Sequence, residues 1–204
     1  MTKRLLIGFF LTFLISCTNN IGPNLDTSLP HYKVYADKAF GSMSQARIAG
    51  ALQEWASKTN YILEYDLEFV ETKDLKRTED DWNTIYIFLA EPGPGKAGWT
   101  SWNTSRNGAY ILIAPGVENS EWNFNSVIKH EMGHSFHLVH YNNCAFKSVM
   151  HDGAYDTDKI ECTDIKAFCD IWHCNIECDL IPSDIIQTPS IDSGNTTCSI
   201  NLNQ

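Results

Sequence analysis

The sequence predicts a single α+β domain, and three observations support this expectation. Residues 61–70 alternate between apolar and charged side chains, which is typical of a strand with one buried face. Residues 84–89 form a continuous apolar run, as in an interior strand. Residues 42–58 and 163–172 carry apolar side chains at helical spacing and therefore predict helices. A chain of 204 residues has room for little beyond one such domain.

Five strands are expected along the chain. They cover residues 31–36, 61–70, 84–89, 97–102 and 108–114. In the second strand the side chains expected to share the buried face are Tyr61, Leu63, Tyr65, Leu67 and Phe69. Residues 179–204 are rich in Asp, Ser, Thr and Pro, so we expect an ordered edge at best or a loose tail there.

Three helices are expected, each with a start signal. The first begins at Ser42, which forms a capping box with Gln45, and buries Ile48, Ala51, Leu52 and Trp55. The second begins near an N-cap at Asn123 or Asn125. The third runs from an N-cap at Thr163 to about Trp172 and buries Ile165, Phe168, Cys169 and Trp172.

The second helix carries the residues that indicate chemistry. His130 and His134 are four residues apart, so their side chains lie on one face, about 6 Å from each other. That spacing suits two imidazoles that bind one Zn²⁺. Glu131, beside the first histidine, is placed to take a proton from a zinc-bound water and pass it to a leaving amine. Ile128, Met132 and Phe136 lie roughly opposite and would dock the helix on the core.

The N-terminus predicts export and lipid attachment. Lys3 and Arg4 precede an apolar run over 5–15, which has the length of a signal-peptide core and is too short for a membrane span. The sequence that follows resembles a bacterial lipobox with Cys17 as the lipidated residue. We therefore expect a signal peptide at 1–16, a tether at 17–30, a catalytic domain at 31–178 and a tail at 179–204, held at the outer membrane or cell surface by the lipid alone.

The number of cysteines and the net charge limit the cellular compartment and the partners that we expect. Six cysteines remain besides Cys17, and an even number in an exported chain predicts up to three disulfides. A zinc site of four cysteines is the alternative, although paired C-x2-C units are missing. Cys144 is a candidate partner for a cysteine of the last helix. The formal charge of −10 argues against nucleic acid as a partner, and a monomer is expected.

The segment from His130 to His140 resembles the metzincin signature H-E-x-x-H-x-x-G-x-x-H, and Ser148-Val149-Met150 resembles the Met-turn of that family. The resemblance covers about residues 31–175 and is greatest to the matrixin branch. It implies a mixed twisted sheet, an active-site helix, a C-terminal helix and zinc-dependent cleavage of protein or peptide substrates. His130, His134 and His140 would bind zinc, Met150 would form a floor below them, and 97–102 would pair with an extended substrate. Calcium binding is also known among matrixins, although the sequence shows no convincing calcium loop.

One residue departs from the family pattern. His137 stands where the signature has a glycine, which ends the helix with a positive φ. Either the turn is kept and His137 lies beside the cleft, or His137 replaces His140 as the third ligand. A straight helix would separate His130 and His137 by about 10.5 Å, so His140 is the preferred ligand.

Two weaker candidates and two competing functions complete the expectations. Tyr155 could stabilise an oxyanion, although a packing role fits its position better, and His151 is expected at the surface. A metzincin scaffold used for surface binding or adhesion is the main alternative to a peptidase, and a zinc-dependent cell-wall amidase is a third. The presence of Glu131 favours an enzyme, because a purely structural metal site does not need that carboxylate.

Overall fold

A computed structural model describes residues 30–75, 82–103, 108–141, 143, 145–151, 157–181, 185–188 and 197–200. Tyr155, Cys17 and Cys144 lie outside these residues, so the roles expected of Tyr155 and Cys17 stay predictions. Among the helices that are described, none has the length and apolar character needed to cross a bilayer.

The core of the fold is a five-stranded mixed sheet. Its strands are β1 (His31–Asp37), β2 (Glu64–Val70), β3 (Thr84–Leu89), β4 (Gly98–Asn103) and β5 (Gly108–Ile113), in the spatial order β2-β1-β3-β5-β4. The pairs β1/β2, β1/β3 and β3/β5 are parallel, whereas β4 runs antiparallel to β5 and forms one edge. The predicted α+β class with a mixed sheet is confirmed.

Three helices accompany the sheet: α1 (Ser42–Lys58), α2 (Glu121–Ser135) and α3 (Cys162–Trp172). The apolar stripe of α1 is buried as predicted, and Trp55 donates a hydrogen bond from Nε1 to the carbonyl oxygen of Lys129 at 3.1 Å. Helix α2 is buried along its whole second half, from Ser126 to Phe136. It therefore lies between the core and the cleft, with Ile128, Met132 and Phe136 fully buried as expected.

The predicted helix starts are corrected by the structure. The N-cap of α1 is Gly41, and Ser42 is already helical; Gln45 donates to the carbonyl oxygen of Phe40 at 2.7 Å, so no capping box forms. The N-cap of α2 is Ser120, whose hydroxyl accepts from the backbone N–H of Asn123. Asn123 thus supplies the N–H that needs a cap, which is why neither it nor Asn125 begins the helix.

The start of α3 also differs from the prediction. Its N-cap is Glu161, which forms a reciprocal capping box with Asp164, while Thr163 is inside the helix. The Thr163 hydroxyl is used elsewhere, in a hydrogen bond to the carbonyl oxygen of Lys147. The predicted buried stripe of α3 is confirmed.

The strand boundaries agree with the predictions within one residue, except at β2. The strand begins at Glu64 because Asn60 and Tyr61 have φ values of 53° and 57° and turn the chain after α1. Tyr61 is consequently 61% exposed and does not share the buried face. From Glu64 onward the predicted alternation holds, with Glu64, Asp66 and Glu68 exposed.

The described residues after α2 include the disulfides Cys162–Cys178 and Cys169–Cys174. This confirms disulfide bonding for these four cysteines and excludes them from a cysteine zinc site. The expected bond between Cys144 and a cysteine of the last helix is wrong, because both cysteines of α3 have other partners. Disulfides are typical of exported proteins. The tail includes a separate antiparallel pair, β6 (Ile185–Thr188) and β7 (Thr197–Ile200).

Candidate metal centre

Two histidines of α2 are fixed by hydrogen bonds to backbone carbonyls. The Nδ1 of His130 lies 2.7 Å from the carbonyl oxygen of Val149, and the Nδ1 of His134 lies 2.8 Å from that of Leu138. A carbonyl oxygen can only accept, so each Nδ1 carries a proton. Burial lowers the pKa of His130 to about 3, which keeps the ring neutral. The Nε2 atoms of both rings therefore present a lone pair.

These two Nε2 atoms converge with the Nε2 atom of a third histidine. The Nε2 of His134 lies 3.0 Å from the Nε2 of His130 and 3.1 Å from the Nε2 of His140. Among the described residues, these three form the group of side chains that could share one metal ion, with ligand atoms within 4.8 Å of one another. Tetrahedral zinc with ligands at 2.0–2.1 Å separates imidazole nitrogens by about 3.3–3.4 Å, so the residues fit the ion.

His140 reaches this group because α2 ends in a tight turn. His137 has a φ of 71°, its N–H donates to the carbonyl oxygen of His134 at 2.9 Å, and the N–H of Leu138 donates to that of Gly133 at 3.0 Å. These two bonds define a Schellman motif with His137 in the left-handed position. The backbone turn of the family signature is thus retained although its glycine is not. Histidine tolerates this region better than most residues with a Cβ.

His137 itself lies apart from the three histidines that converge. Its ring packs against Trp172, with centroids 6.1 Å apart, and burial lowers its pKa to about 4. It lines a small cavity of about 110 Å³ together with His140 and Met150. Of the two alternatives for His137, the structure has the one in which the turn is preserved and His137 lies beside the cleft.

Glu131 lies between α2 and the edge strand β4. Its side chain is only 5% exposed, and burial raises its pKa to about 7, against a smaller opposing contribution from the Thr100 hydrogen bond. The Thr100 hydroxyl donates to Glu131 Oε2 at 2.6 Å. A Cβ on Gly98 would lie 2.6 Å from Oε1, so a glycine is needed for the strand to approach this closely.

Met150 packs against the helix between its two histidines. It is 1% exposed, and a Cβ on Gly133 would meet its Sδ at 2.3 Å. The position of Met150 is fixed by its neighbours: its N–H donates to Ser148 Oγ at 3.0 Å, and its carbonyl oxygen accepts from the N–H of Tyr141 at 2.8 Å. Met150 is therefore placed next to the backbone that carries His130 and His134.

Asp164 of α3 holds this segment in place, which the sequence had not indicated. Its Oδ1 accepts from the Ser148 hydroxyl at 2.6 Å, and its Oδ2 accepts from the N–H groups of Val149 at 3.1 Å and Glu161 at 2.8 Å. Because the Val149 carbonyl binds His130, α3 is connected to the converging histidines through one buried carboxylate. The acidic pair Glu161 and Asp164 at capping-box spacing was the sequence signal for part of this role.

An open cleft of about 660 Å³ leads to the histidines. One wall is β4 with the preceding residues from Gly95, and the other includes Glu131, Val139 and the three histidines. Trp102 stacks over the ring of His134 with centroids 6.0 Å apart, and it remains 40% exposed. The cleft thus combines polar groups at its centre with an apolar wall.

The sequence prediction is wrong for one further histidine. His151, expected at the surface, is fully buried and stacks on Tyr141 with centroids 5.6 Å apart. It follows Met150 directly, so the buried Met150 segment brings it inside.

No protein-family model matches the chain, and no curated protein is similar to it in sequence. Solved structures with a partly similar fold include high choriolytic enzyme 1, a hatching enzyme zinc-protease from Oryzias latipes (medaka fish). It is 13% identical, with coverage of 74% of this chain and 94% of that chain and a TM-score of 0.47. Archaemetzincin from Methanopyrus kandleri is 13% identical, with coverage of 71% and 97% and a TM-score of 0.46. These similarities concern the overall fold.

Proposed function

We propose that this protein is a zinc-dependent metalloendopeptidase. One observation carries the proposal: three Nε2 atoms converge within hydrogen-bonding distance while the Nδ1 atoms of His130 and His134 are committed to backbone carbonyls. A cation between the three rings would account for this convergence, because lone pairs on neighbouring Nε2 atoms repel one another at such distances. Backbone carbonyls that fix the ligand tautomer are a regular feature of zinc sites.

His130, His134 and His140 would hold the ion, and three imidazole ligands leave a fourth position for water or substrate. When bound, zinc would lower the pKa of a water molecule and polarise the scissile carbonyl group. A catalytic arrangement fits better than a structural one, because structural zinc sites are closed and His140 is exposed at an open cleft.

Glu131 would serve as general base and then as general acid. Its carboxylate is in the wall of the cleft beside the three histidines. It would accept a proton from the attacking water and donate it to the nitrogen of the leaving amine. A pKa near 7 suits a group that both takes and returns a proton at neutral pH.

The edge strand β4 would bind the substrate. Its outer side has no neighbouring strand in the described sheet, so an extended peptide can pair with it by β-augmentation. Trp102 and Val139 are exposed in the cleft and would contact apolar side chains of such a peptide. Met150 would act as a floor below the ligands, as the matrixin-like resemblance implies.

The expected location is outside the cytoplasm. The disulfides of the C-terminal part support an oxidising compartment. We propose that Cys17 is lipidated and that this lipid holds the catalytic domain at the outer membrane or cell surface.

The first prediction tests the metal and the base together. Zinc content and cleavage of casein are measured for the wild type, Glu131→Gln and His140→Ala. We expect one zinc per wild-type chain, unchanged zinc in Glu131→Gln with a loss of kcat of about 10²- to 10⁴-fold, and loss of zinc in His140→Ala. His31→Gln is the matched control, because His31 is an exposed histidine outside the cluster and its replacement should leave both readouts unchanged.

Two outcomes contradict the proposal. A wild type that binds zinc tightly but cleaves neither casein nor gelatin would favour the adhesion alternative. A His140→Ala variant that keeps full zinc content would show that the convergence of the three rings does not define the metal site.

A further inference from the structure

Thr100 lies near the middle of β4, and its hydroxyl points at the residue proposed as the base. The side chain is 8% exposed. Its Oγ1 lies 2.6 Å from Glu131 Oε2 and 3.0 Å from the main-chain carbonyl oxygen of Glu131. A threonine hydroxyl has one proton, so these two acceptors of the same residue compete for it.

The packing around Glu131 explains why this contact controls the orientation of the carboxylate. Gly98 brings the strand close to one carboxylate oxygen, and Thr100 meets the other. Val127 fills the space beside Gly98, where an added Cβ would approach its Cγ1 to 2.8 Å. The carboxylate therefore lies between a tight apolar contact on one side and a hydrogen-bond donor on the other.

We infer that Thr100 is a positioning residue, which fixes the Glu131 carboxylate in the wall of the cleft. The inference rests on the proposed peptidase function. The Thr100 hydroxyl donates to Oε2, and the close approach of Gly98 to Oε1 limits rotation of the carboxylate. A water molecule would therefore meet a base whose orientation is already set.

This arrangement also couples the base to the strand proposed to bind substrate. Thr100 belongs to the strand that would pair with the peptide, and its side chain binds the base directly. A peptide paired with β4 would therefore lie at a fixed distance and orientation relative to the Glu131 carboxylate. Such orientation is a recognised source of rate acceleration.

The test compares Thr100→Val with Thr100→Ser by the kinetics of peptide cleavage. Valine has the shape of threonine without the hydroxyl, and serine keeps the hydroxyl without the methyl group. We expect Thr100→Val to lower kcat about 10- to 100-fold with KM changed less than about twofold, and Thr100→Ser to stay within about threefold of the wild type. Thr84→Val is the matched control, because Thr84 is a buried threonine of β3 whose hydroxyl donates to the carbonyl oxygen of Trp82 and which does not line the cleft.

Thr100 acts through Glu131, so the two substitutions must not be additive. In a Glu131→Gln background, Thr100→Val should cause no further loss of kcat. In the metal-free chain, the midpoint of urea unfolding should shift less in the double variant Thr100→Val/Glu131→Met than the sum of the two single shifts. This second readout is independent of activity and of zinc.

The outcomes separate the two proposals. A wild type without peptidase activity removes the proposed function and the inference with it. An active wild type whose kcat is unchanged by Thr100→Val overturns the inference alone. Equal losses in Thr100→Val and Thr100→Ser would show that the methyl group and packing matter, and would also overturn it.

Discussion

The sheet with α1, residues 30–113, and the C-terminal part, residues 136–181, are stabilised in different ways. The first contains no cysteine, and its core is built from apolar side chains such as Val34, Ile85 and Ile111. In the second, the described residues outside α3 form little regular structure. They are fixed by the disulfides Cys162–Cys178 and Cys169–Cys174 and by particular polar bonds, such as Glu54 Oε1 accepting from the N–H of Ile160 at 2.8 Å. Helix α2 lies between them and carries His130 and His134, two of the three converging histidines.

Because of this difference, substitutions in the two parts should disturb the candidate site to different extents. Hydrophobic burial is non-directional, and a core tolerates changes that keep its volume. A buried polar network depends on each of its members, because any donor or acceptor left without its partner costs free energy. The geometry of the ligands therefore depends more on a few polar residues of the C-terminal part than on any single apolar residue of the sheet.

The largest effect is expected at Asp164. Asp164→Asn replaces an acceptor with an NH₂ group that faces the donors of the capping box and of the Met150 segment. We expect the free energy of unfolding to fall by about 4 kcal/mol and zinc affinity to fall about tenfold. Urea unfolding and a zinc competition titration measure the two effects. Asp170→Asn is the control, because Asp170 is exposed on the same helix; equal losses in both variants would refute the role of Asp164.

Removal of the disulfides should have the next largest effect, graded by loop length. The bond Cys162–Cys178 closes a sequence separation of 16 residues and Cys169–Cys174 one of 5. Chain entropy predicts losses of about 3 and about 2 kcal/mol for the corresponding paired serine variants. Thermal unfolding under non-reducing conditions compares the two variants. A larger loss from removal of the shorter loop would contradict an entropic origin.

A smaller effect is expected at Gly133, where α2 packs against Met150 of the C-terminal part. Gly133→Ala gains about 1 kcal/mol of helix propensity. It also forces Met150 away from a position where a Cβ would come within 2.3 Å of its Sδ. Overpacking costs typically about 1–3 kcal/mol, so a net loss of about 1 kcal/mol is expected in urea unfolding.

Gly50→Ala is the matched comparison for this prediction. Gly50 is also inside a helix, but an added Cβ there would meet nothing within 4 Å. That variant should be more stable than the wild type by about 1 kcal/mol. If both substitutions change the free energy of unfolding in the same direction, the contact between Met150 and α2 does not explain why residue 133 is a glycine.

The sheet and the helical faces could be predicted because they follow from periodicity. Val34, Ile48 and Phe168 are buried at positions set by a period of two or of 3.6 residues. Helix starts were predicted less well. The N-caps Gly41, Ser120 and Glu161 depend on the path of the preceding loop, which hydrophobic periodicity does not encode.

The site was predictable to the extent that it lies on one helix. Spacing alone placed His130 and His134 on one face, with Glu131 beside them. The left-handed turn at His137 was one of two open alternatives, because the signature glycine is missing and only the three-dimensional path of the chain decides between them. Thr100 and Asp164 act across the fold from positions 31 and 33 residues away from Glu131 in the sequence. Contacts of that kind leave no local pattern.

The two edges of the sheet have opposite character. On β2 the exposed face carries the acidic residues Glu64, Asp66 and Glu68, of which the first two contact the ring of His31 on β1. Charged side chains on an edge strand disfavour the docking of another strand. The strand β4, from Gly98 to Asn103, carries no charged residue. The uncharged edge borders the cleft that contains the three histidines. In the proposed peptidase, the distribution of charge between the two edges would thus direct a substrate strand to the side where the histidines and Glu131 lie.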